Sequence, residues 1–296
     1  MPVQQVGGTL FGLPEPAESG MKKSQSANIR RQTGKMTGSG GGKARVRQRG
    51  SRPFANRLLA LLSRADYERL RPHLEYAVLK YRQSLYRANR SIGFVHFIET
   101  GVGSLVNTMA NGDAAEVGTI GNEGVVGLPL IMQDERSPTS VYIQVPGTGM
   151  RMKASLFRTE LARSASMRRV MLHYAHAFFN QVAQSAACNQ FHSLEQRCCR
   201  WLLMTHDRMG SDEFLLTQEF LAMMLGVQRT GVTAAAGALQ RAGLINYKRG
   251  NVTIRDRRGL ERRACECYGI AKREFDRLLG SGARHRDAAG PDSHWR

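Results

Sequence analysis

The chain has 296 residues, of which 43 are Lys or Arg and 24 are Asp or Glu, giving a net charge of +19 with neutral histidines; 42% are apolar. That length admits two domains and that apolar share admits a sizeable core, which excludes a chain disordered throughout; the glycines show no three-residue collagen period. No apolar run approaches the roughly 18–20 residues of a membrane span, and the basic-then-apolar start of a secretory signal is missing.

Charge is unevenly placed. Residues 1–52 carry a net +8 and the remainder +11, so both parts can be drawn to a polyanion: nucleic acid, anionic lipid, or neither if the charge only keeps the chain in solution. Residues 1–52 lack apolar periodicity and include GSGGG at Gly38–Gly42, which predicts a disordered basic arm. The arm reads either as a flexible tail adding non-specific affinity for DNA or as an over-extended start, with Met21 or Met36 as alternatives. Five cysteines, an odd number with no CxxC, argue against a disulfide scaffold and for a reducing cytoplasm.

Order begins near Asn56. The run NRLLALLSRADYERLRPHL spaces Leu58, Leu59, Leu62, Tyr67 and Leu70 for two short helices, with a break and new N-cap at Ser63 and Asp66. From Glu75 to Lys153 β-branched and aromatic residues alternate with frequent glycines, which predicts a small antiparallel barrel or roll. Asn111-Gly112 marks a hairpin within it, since both residues tolerate positive φ. After Ala154 helical spacing returns. Met167, Met171, Tyr174, Phe178, Val182 and Ser185 form an apolar stripe that can pack on its own domain, on a partner chain, or on both. A further helix starts at Ser193, with Gln196 as its capping-box partner, and ends at Gly210-Ser211-Asp212.

The segment Leu216 to Asp256 carries the most information. Thr217 caps a short helix in which Phe220, Leu221 and Met224 face inward, and Gly226 supplies a tight turn. A second helix from about Gln228 to Arg241 turns Val232, Ala235, Ala236 and Leu239 inward and Thr230, Thr233, Ala234, Gly237 and Arg241 outward, with Arg229 at its start. Two helices around a glycine turn make a helix-turn-helix, whose second helix can enter a major groove. Arg229 can read guanine or hold a phosphate. Two strand-like pieces, LINY and NVTIRD, flank Lys248-Arg249-Gly250-Asn251 as a basic wing suited to phosphate. The candidate DNA-binding residues are therefore Thr217, Gln218, Gln228, Arg229, Thr230, Thr233, Lys248 and Arg249. The alternative is a helical subdomain or protein-binding winged helix whose cations are a solvated face.

From about Asn56 to Leu279 the chain resembles the Crp/Fnr-type bacterial transcription regulators. The likeness rests on GNEGVVG at Gly121–Gly127, NQFHSLEQRCCRWLL at Asn189–Leu203 and LTQEFLAMMLGVQRTGVTAAAGALQRAGLI at Leu216–Ile245. It is greater to a subgroup common in soil and plant-associated proteobacteria than to the cyclic-AMP receptor. The resemblance implies an α+β fold: an N-terminal antiparallel, cupin-like β-roll over 53–164, a dimerisation helix over 165–190, a winged helix-turn-helix over 191–279, and a disordered tail over 280–296. It implies a cytoplasmic homodimer paired through Met167, Met171, Tyr174, Phe178 and Val182. It also implies double-stranded DNA as partner, a palindromic operator with half-sites about 34–36 Å apart, and RNA polymerase as a further partner. In the recognition helix the receptor's Arg-Glu pair and second Arg become Arg229, Thr230 and Ala234, so its operator preference does not transfer.

The effector is left unknown. The family's cyclic-nucleotide site needs a Gly-Glu pair and an Arg-Ser pair. Here Gly127 is followed by Leu128 and Pro129, and Arg136-Ser137 is followed by Pro138. No cysteine precedes Cys188, against an iron–sulfur sensor. Cys198-Cys199 are adjacent on a helix and Cys265-x-Cys267 is not a zinc spacing, so no metal or cofactor is expected; Cys188, Cys198 and Cys199 read as buried thiols before redox sensors. His96, His173 and His176 are weak candidates for haem. A cupin-like metal-dependent enzyme, or a non-catalytic β-roll adaptor with a helical tail, is the rival reading. Against the enzyme, the chain has no HxH, HExxH, GxSxG or P-loop, and Glu99 and Glu116 are single carboxylates in strands. A single-strand binder is disfavoured by the 7% aromatic content.

Overall fold

The computed structural model describes residues 55–280; the expectations for the arm over 1–52 and for the tail beyond Gly280 lie outside them. Asn56 ties the head of the first helix to the sheet. Its Oδ1 accepts from the Leu58 and Leu59 N–H groups at the head of α1 (Arg57–Leu61), while Nδ2 donates to the Ile98 and Gly124 carbonyls at 2.8 Å. Ser63 caps α2 (Arg64–Leu70). Asp66 lies inside that helix's first turn, where its buried carboxylate accepts from the hydroxyls of Ser63, Ser164 and Ser166.

The β-roll follows as β1 (Glu75–Leu79), β2 (Ser84–Tyr86), β3 (Phe94–Thr108), β4 (Ala114–Ile120), β5 (Val125–Val126) and β6 (Ser140–Lys153). The order β1-β6-β3-β4 is antiparallel, with β2 added to β6 and β5 to β3. The long strands β3 and β6 pair from Phe94↔Lys153 to Val106↔Ser140, with register shifts between Ile98 and Gly103. Bulges of this kind bend a strand and let the sheet roll. The expected hairpin at Asn111-Gly112 joins β3 to β4 as a wider loop than the dipeptide predicts. Only Gly112 takes positive φ, because the Asn111 side chain is hydrogen-bonded to Asp113 at both its oxygen and its nitrogen.

Helices α3 (Leu128–Ile131), α4 (Ala154–Arg163) and α5 (Ala165–Phe191) complete this layer. Ser164 breaks α4 from α5 and caps the second. The predicted dimer stripe faces the wrong way for a partner chain. Met167, Met171 and Tyr174 are fully buried and Phe178 is 2% exposed, packed with Phe97, Val125 and Leu130 in the core of their own roll. The strands needed cover for their apolar face, and this side of α5 supplies it. Val182 is half-buried at the edge of the same contact.

The C-terminal layer comprises α6 (Leu194–Met209), β7 (Glu213–Leu215), α7 (Gln218–Leu225), α8 (Arg229–Arg241), β8 (Ile245–Lys248), β9 (Asn251–Ile254), α9 (Arg257–Arg263) and α10 (Cys267–Leu279). The capping box of Ser193 and Gln196 opens α6 as predicted. Strand β7, which the sequence reading lacked, pairs with β9 and extends the wing to three strands. Helix α10 returns to the first layer, placing Phe275 and Leu279 in the β-roll core, so the winged helix is narrower than 191–279. No described helix is long and apolar enough to cross a membrane.

One buried ion pair joins the layers. Arg208 of α6 donates to both Glu123 oxygens at 2.6 and 3.1 Å, to Thr119 Oγ1 at 2.6 Å and to Gln181 Oε1 at 3.3 Å. Gly121 leaves room for it, since a Cβ there would meet the Arg208 chain at 2.3 Å. Both charged groups are under 10% exposed. Removing one partner of such a pair strands the other without water, at about 3–5 kcal/mol. Glu123→Gln should therefore lower the unfolding free energy in urea by about that amount. A loss below about 1 kcal/mol would show that water reaches the guanidinium.

Candidate nucleic-acid interface

Helix α6 is the floor of the winged helix. Its Cys198, Trp201, Leu202 and Leu203 are buried together with Phe220, Leu221 and Met224 of α7 and Val232, Ala235, Ala236 and Leu239 of α8. These are the inward positions that the helical spacing predicts. Thr217 Oγ1 accepts from the Phe220 N–H and fixes the start of α7. Gly226 ends that helix at φ 61° and ψ 41°, a left-handed conformation open to glycine at little cost, and the chain re-enters a helix three residues later.

The outer face of α8 is open. Gln228, Arg229, Thr230, Thr233, Ala234 and Arg241 are exposed. Thr233 Oγ1 turns back to the Arg229 carbonyl at 3.0 Å, which leaves a methyl and short polar groups outward. The helix has no acidic residue, and no side chain caps its N-terminal N–H groups. Its positive dipole end is thus unopposed within the helix. Arg229 pairs with no carboxylate among the described residues.

The wing tip is tied to the head of α7. Arg249 and Gly250 take φ of 51° and 81°, the pair of positive values of a two-residue hairpin turn, and Lys248 lies opposite Asn251. Lys248 and Arg249 are exposed. The Leu216 N–H donates to the Gly250 carbonyl at 2.7 Å, and Tyr247 Oη donates to the Leu216 carbonyl at 2.9 Å, which locks the wing to the head of α7. Burial pushes the Tyr247 hydroxyl up to about 12, so it stays a neutral donor. Gln218 of α7 accepts from Thr233 of α8 at 3.4 Å and Gly250 of the wing turn lies beside Thr217, so the head of α7 links the two elements; of the predicted residues Thr217 and Gln218 are half-buried and the other six exposed.

Sequence reasoning missed what seats α7. The β1–β2 turn brings Tyr81 Oη within 3.1 Å of Thr217 Oγ1 and its ring within 5.3 Å of Phe220. Arg82 lies over both rings and pairs with Glu219 at 2.7 Å. These partners are more than 130 residues apart, and nothing local in either segment announces the other.

In the β-roll, Arg136 is exposed on the α3–β6 loop, where its N–H donates to Asp134. His173 and His176 are exposed on α5. His96 is buried in β3, and burial, aided by Arg151, pushes it down to about 4. Burial pushes Glu116 up to about 7, and Ser104 donates to it at 2.5 Å. Among the described residues, the one group of three or more His, Cys, Asp or Glu with converging ligand atoms lies outside the roll, at the end of α5.

Residues 196–263 match the Crp-like helix-turn-helix domain. Among solved structures, the fold is similar to that of a candidate Crp/Fnr-family transcriptional regulator from Eubacterium rectale, at 19% identity and TM-score 0.55, covering 70% of this chain and 96% of that one. It is similar to TTHB099, a CRP-family transcriptional regulator from Thermus thermophilus, at 16% identity and TM-score 0.54, covering 64% and 96%. It is also similar to FixK2 from Bradyrhizobium japonicum, at 13% identity and TM-score 0.56, covering 65% and 98%. No curated protein matches the chain by sequence. The chain has the fold of the Crp/Fnr-type transcription regulators and carries their Crp-like helix-turn-helix domain over residues 196–263.

Proposed function

We propose that this protein is a cytoplasmic transcription regulator that binds a two-fold symmetric site on duplex DNA as a homodimer. The observation that carries the reading is the acid-free, exposed outer face of α8, led by Arg229, which pairs with no carboxylate among the described residues, together with the exposed cations of the wing tip. In this reading α8 enters the major groove, Arg229 meets base edges, and Thr230 and Thr233 make close contacts. Lys248 and Arg249 hold the flanking phosphates, and the half-buried Thr217 and Gln218 support the head of α7.

The dimer surface of this proposal is the outward side of α5. Leu172, Ala175, Phe179, Val182 and Ala186 alternate at steps of three and four, the spacing of a coiled-coil seam. Leu172 is 47% and Phe179 68% exposed, a large apolar area for a lone helix to leave in water. Of the stripe expected from the sequence, Val182 is the member that reaches this side. The β-roll is the proposed sensing part.

Three measurements test the proposal. Arg229→Ala should cost about 1–3 kcal/mol on the specific site and little on random DNA; an equal loss on all sequences would reduce Arg229 to a phosphate contact. Replacing Lys248 and Arg249 by Ala should weaken binding to every sequence and lower the salt slope by about one unit per lost contact. An unchanged slope would remove the wing from the interface. Phe179→Asp should give a folded monomer by sedimentation, whereas Phe178→Asp should unfold the roll. A dimer that survives Phe179→Asp would place pairing elsewhere.

A further inference from the structure

The end of α5 and the α9–α10 link meet in a cluster that neither segment shows alone. Cys188 and His192 stand one turn apart at the C-terminal end of α5; Cys265 and Cys267 come from the link and the first residue of α10. The three sulfurs and one imidazole nitrogen all lie within 4.8 Å of one another. Cys188 Sγ is 3.5 Å from Cys265 Sγ, and Cys267 Sγ is 3.5 Å from His192 Nδ1. The cysteines are buried and His192 is half-buried.

We propose that Cys188, His192, Cys265 and Cys267 bind one structural Zn2+ ion. Thiolate at about 2.3 Å and imidazole at about 2.0–2.1 Å, arranged tetrahedrally, place sulfurs about 3.8 Å apart and sulfur from nitrogen about 3.6 Å apart. The Cys188–Cys265 and Cys267–His192 separations, both 3.5 Å, are close to that arrangement, and the other ligand pairs, all within 4.8 Å, reach it by small side-chain rotations. Three thiolates and one imidazole select zinc over the hard cations, and four protein ligands make a closed, non-catalytic site.

The surroundings fit the same ion. His192 Nδ1 faces the sulfurs while Nε2 lies 3.1 Å from the Glu266 carboxylate. That partner fixes the tautomer with Nδ1 free to ligate, as outer carboxylates do for metal-bound histidines. Gln184 Nε2 donates to Cys267 Sγ at 3.0 Å, and such a bond strengthens when the sulfur becomes a thiolate. A disulfide between Cys188 and Cys265 would use two of the four groups and leave these two contacts unexplained. Binding displaces the thiol protons to solvent and requires no oxidant.

Cys188 and Cys265 lie 77 residues apart in the chain, and Cys265 and Cys267 fall just beyond the matched domain that ends at 263. The ion would therefore clamp the end of the long helix to the segment leaving the winged helix. The site stands independently of DNA binding, because metal content is read without DNA.

The test uses the full-length chain purified under reducing conditions. Elemental analysis should find one zinc per chain, released when a mercurial reagent titrates the thiols. Cys265→Ser with Cys267→Ser should lose the metal, whereas Cys198→Ala, in the separate winged-helix core, should keep it. Should the double variant fail to fold, Co2+ added to metal-stripped wild type should give the sulfur-to-cobalt charge-transfer and visible bands of a tetrahedral thiolate site. Native mass spectrometry should then show one added ion. A folded, reduced chain that takes up neither Zn2+ nor Co2+ at micromolar concentration would overturn the proposal. So would a Cys188–Cys265 disulfide in the freshly isolated protein.

Discussion

A guanidinium taken out of water must find its counter-charge inside the protein, and Arg208 finds it on another layer of the chain. Glu123 takes two of its hydrogen bonds, Thr119 and Gln181 complete the cage, and Gly121 clears the space. Because α6 carries Arg208 and also floors the helix-turn-helix, this contact, together with Tyr81 and Arg82 beneath α7, holds the winged helix against the β-roll. Much of the motif GNEGVVG is explained here. Its first glycine admits Arg208, its glutamate holds it, and Gly124 makes room for the Tyr174 ring of α5. Sheet, long helix and winged helix thus converge on Thr119, Gly121, Glu123 and Gly124.

What this frame holds outward is a slender helix. Alanines on the inner side of α8 let it sit close to α6 and α7, and small residues on the outer side keep its polar face narrow. In the proposed complex the division of labour follows from chemistry. A guanidinium with two parallel donors can distinguish bases, while the lysine and arginine of the wing add affinity without information. Pairing through the outward face of α5 would double both contributions and impose the two-fold spacing.

Much of this was legible in the residues because it is local. The inward positions of α8, its outward ones apart from the half-buried Gly237, the Thr217 and Ser193 caps and the wing turn follow from spacing within a dozen residues, and the structure agrees. The orientation of α5 was not legible. Its two apolar sides are of similar strength, and only the β-roll, a hundred residues away in places, decides that Tyr174 and Phe178 turn in while Phe179 turns out. The same limit hid Tyr81 and Arg82 beneath α7. It also hid the thiol cluster: Cys265-x-Cys267 resembles no zinc spacing by itself, and becomes a ligand pair only when the last helix folds back on α5.

The winged helix is therefore held by the buried Arg208 and by Tyr81 and Arg82 of the roll, while the outer face of α8 stays exposed. The central claim is that this face reads sequence in a double helix. Repeated selection of bound duplexes from a random library by the full chain tests it most directly. The account predicts enrichment of one motif with two inverted halves centred about one helical turn apart. A pool that stays random through successive rounds, or enriches only single strands, would contradict it.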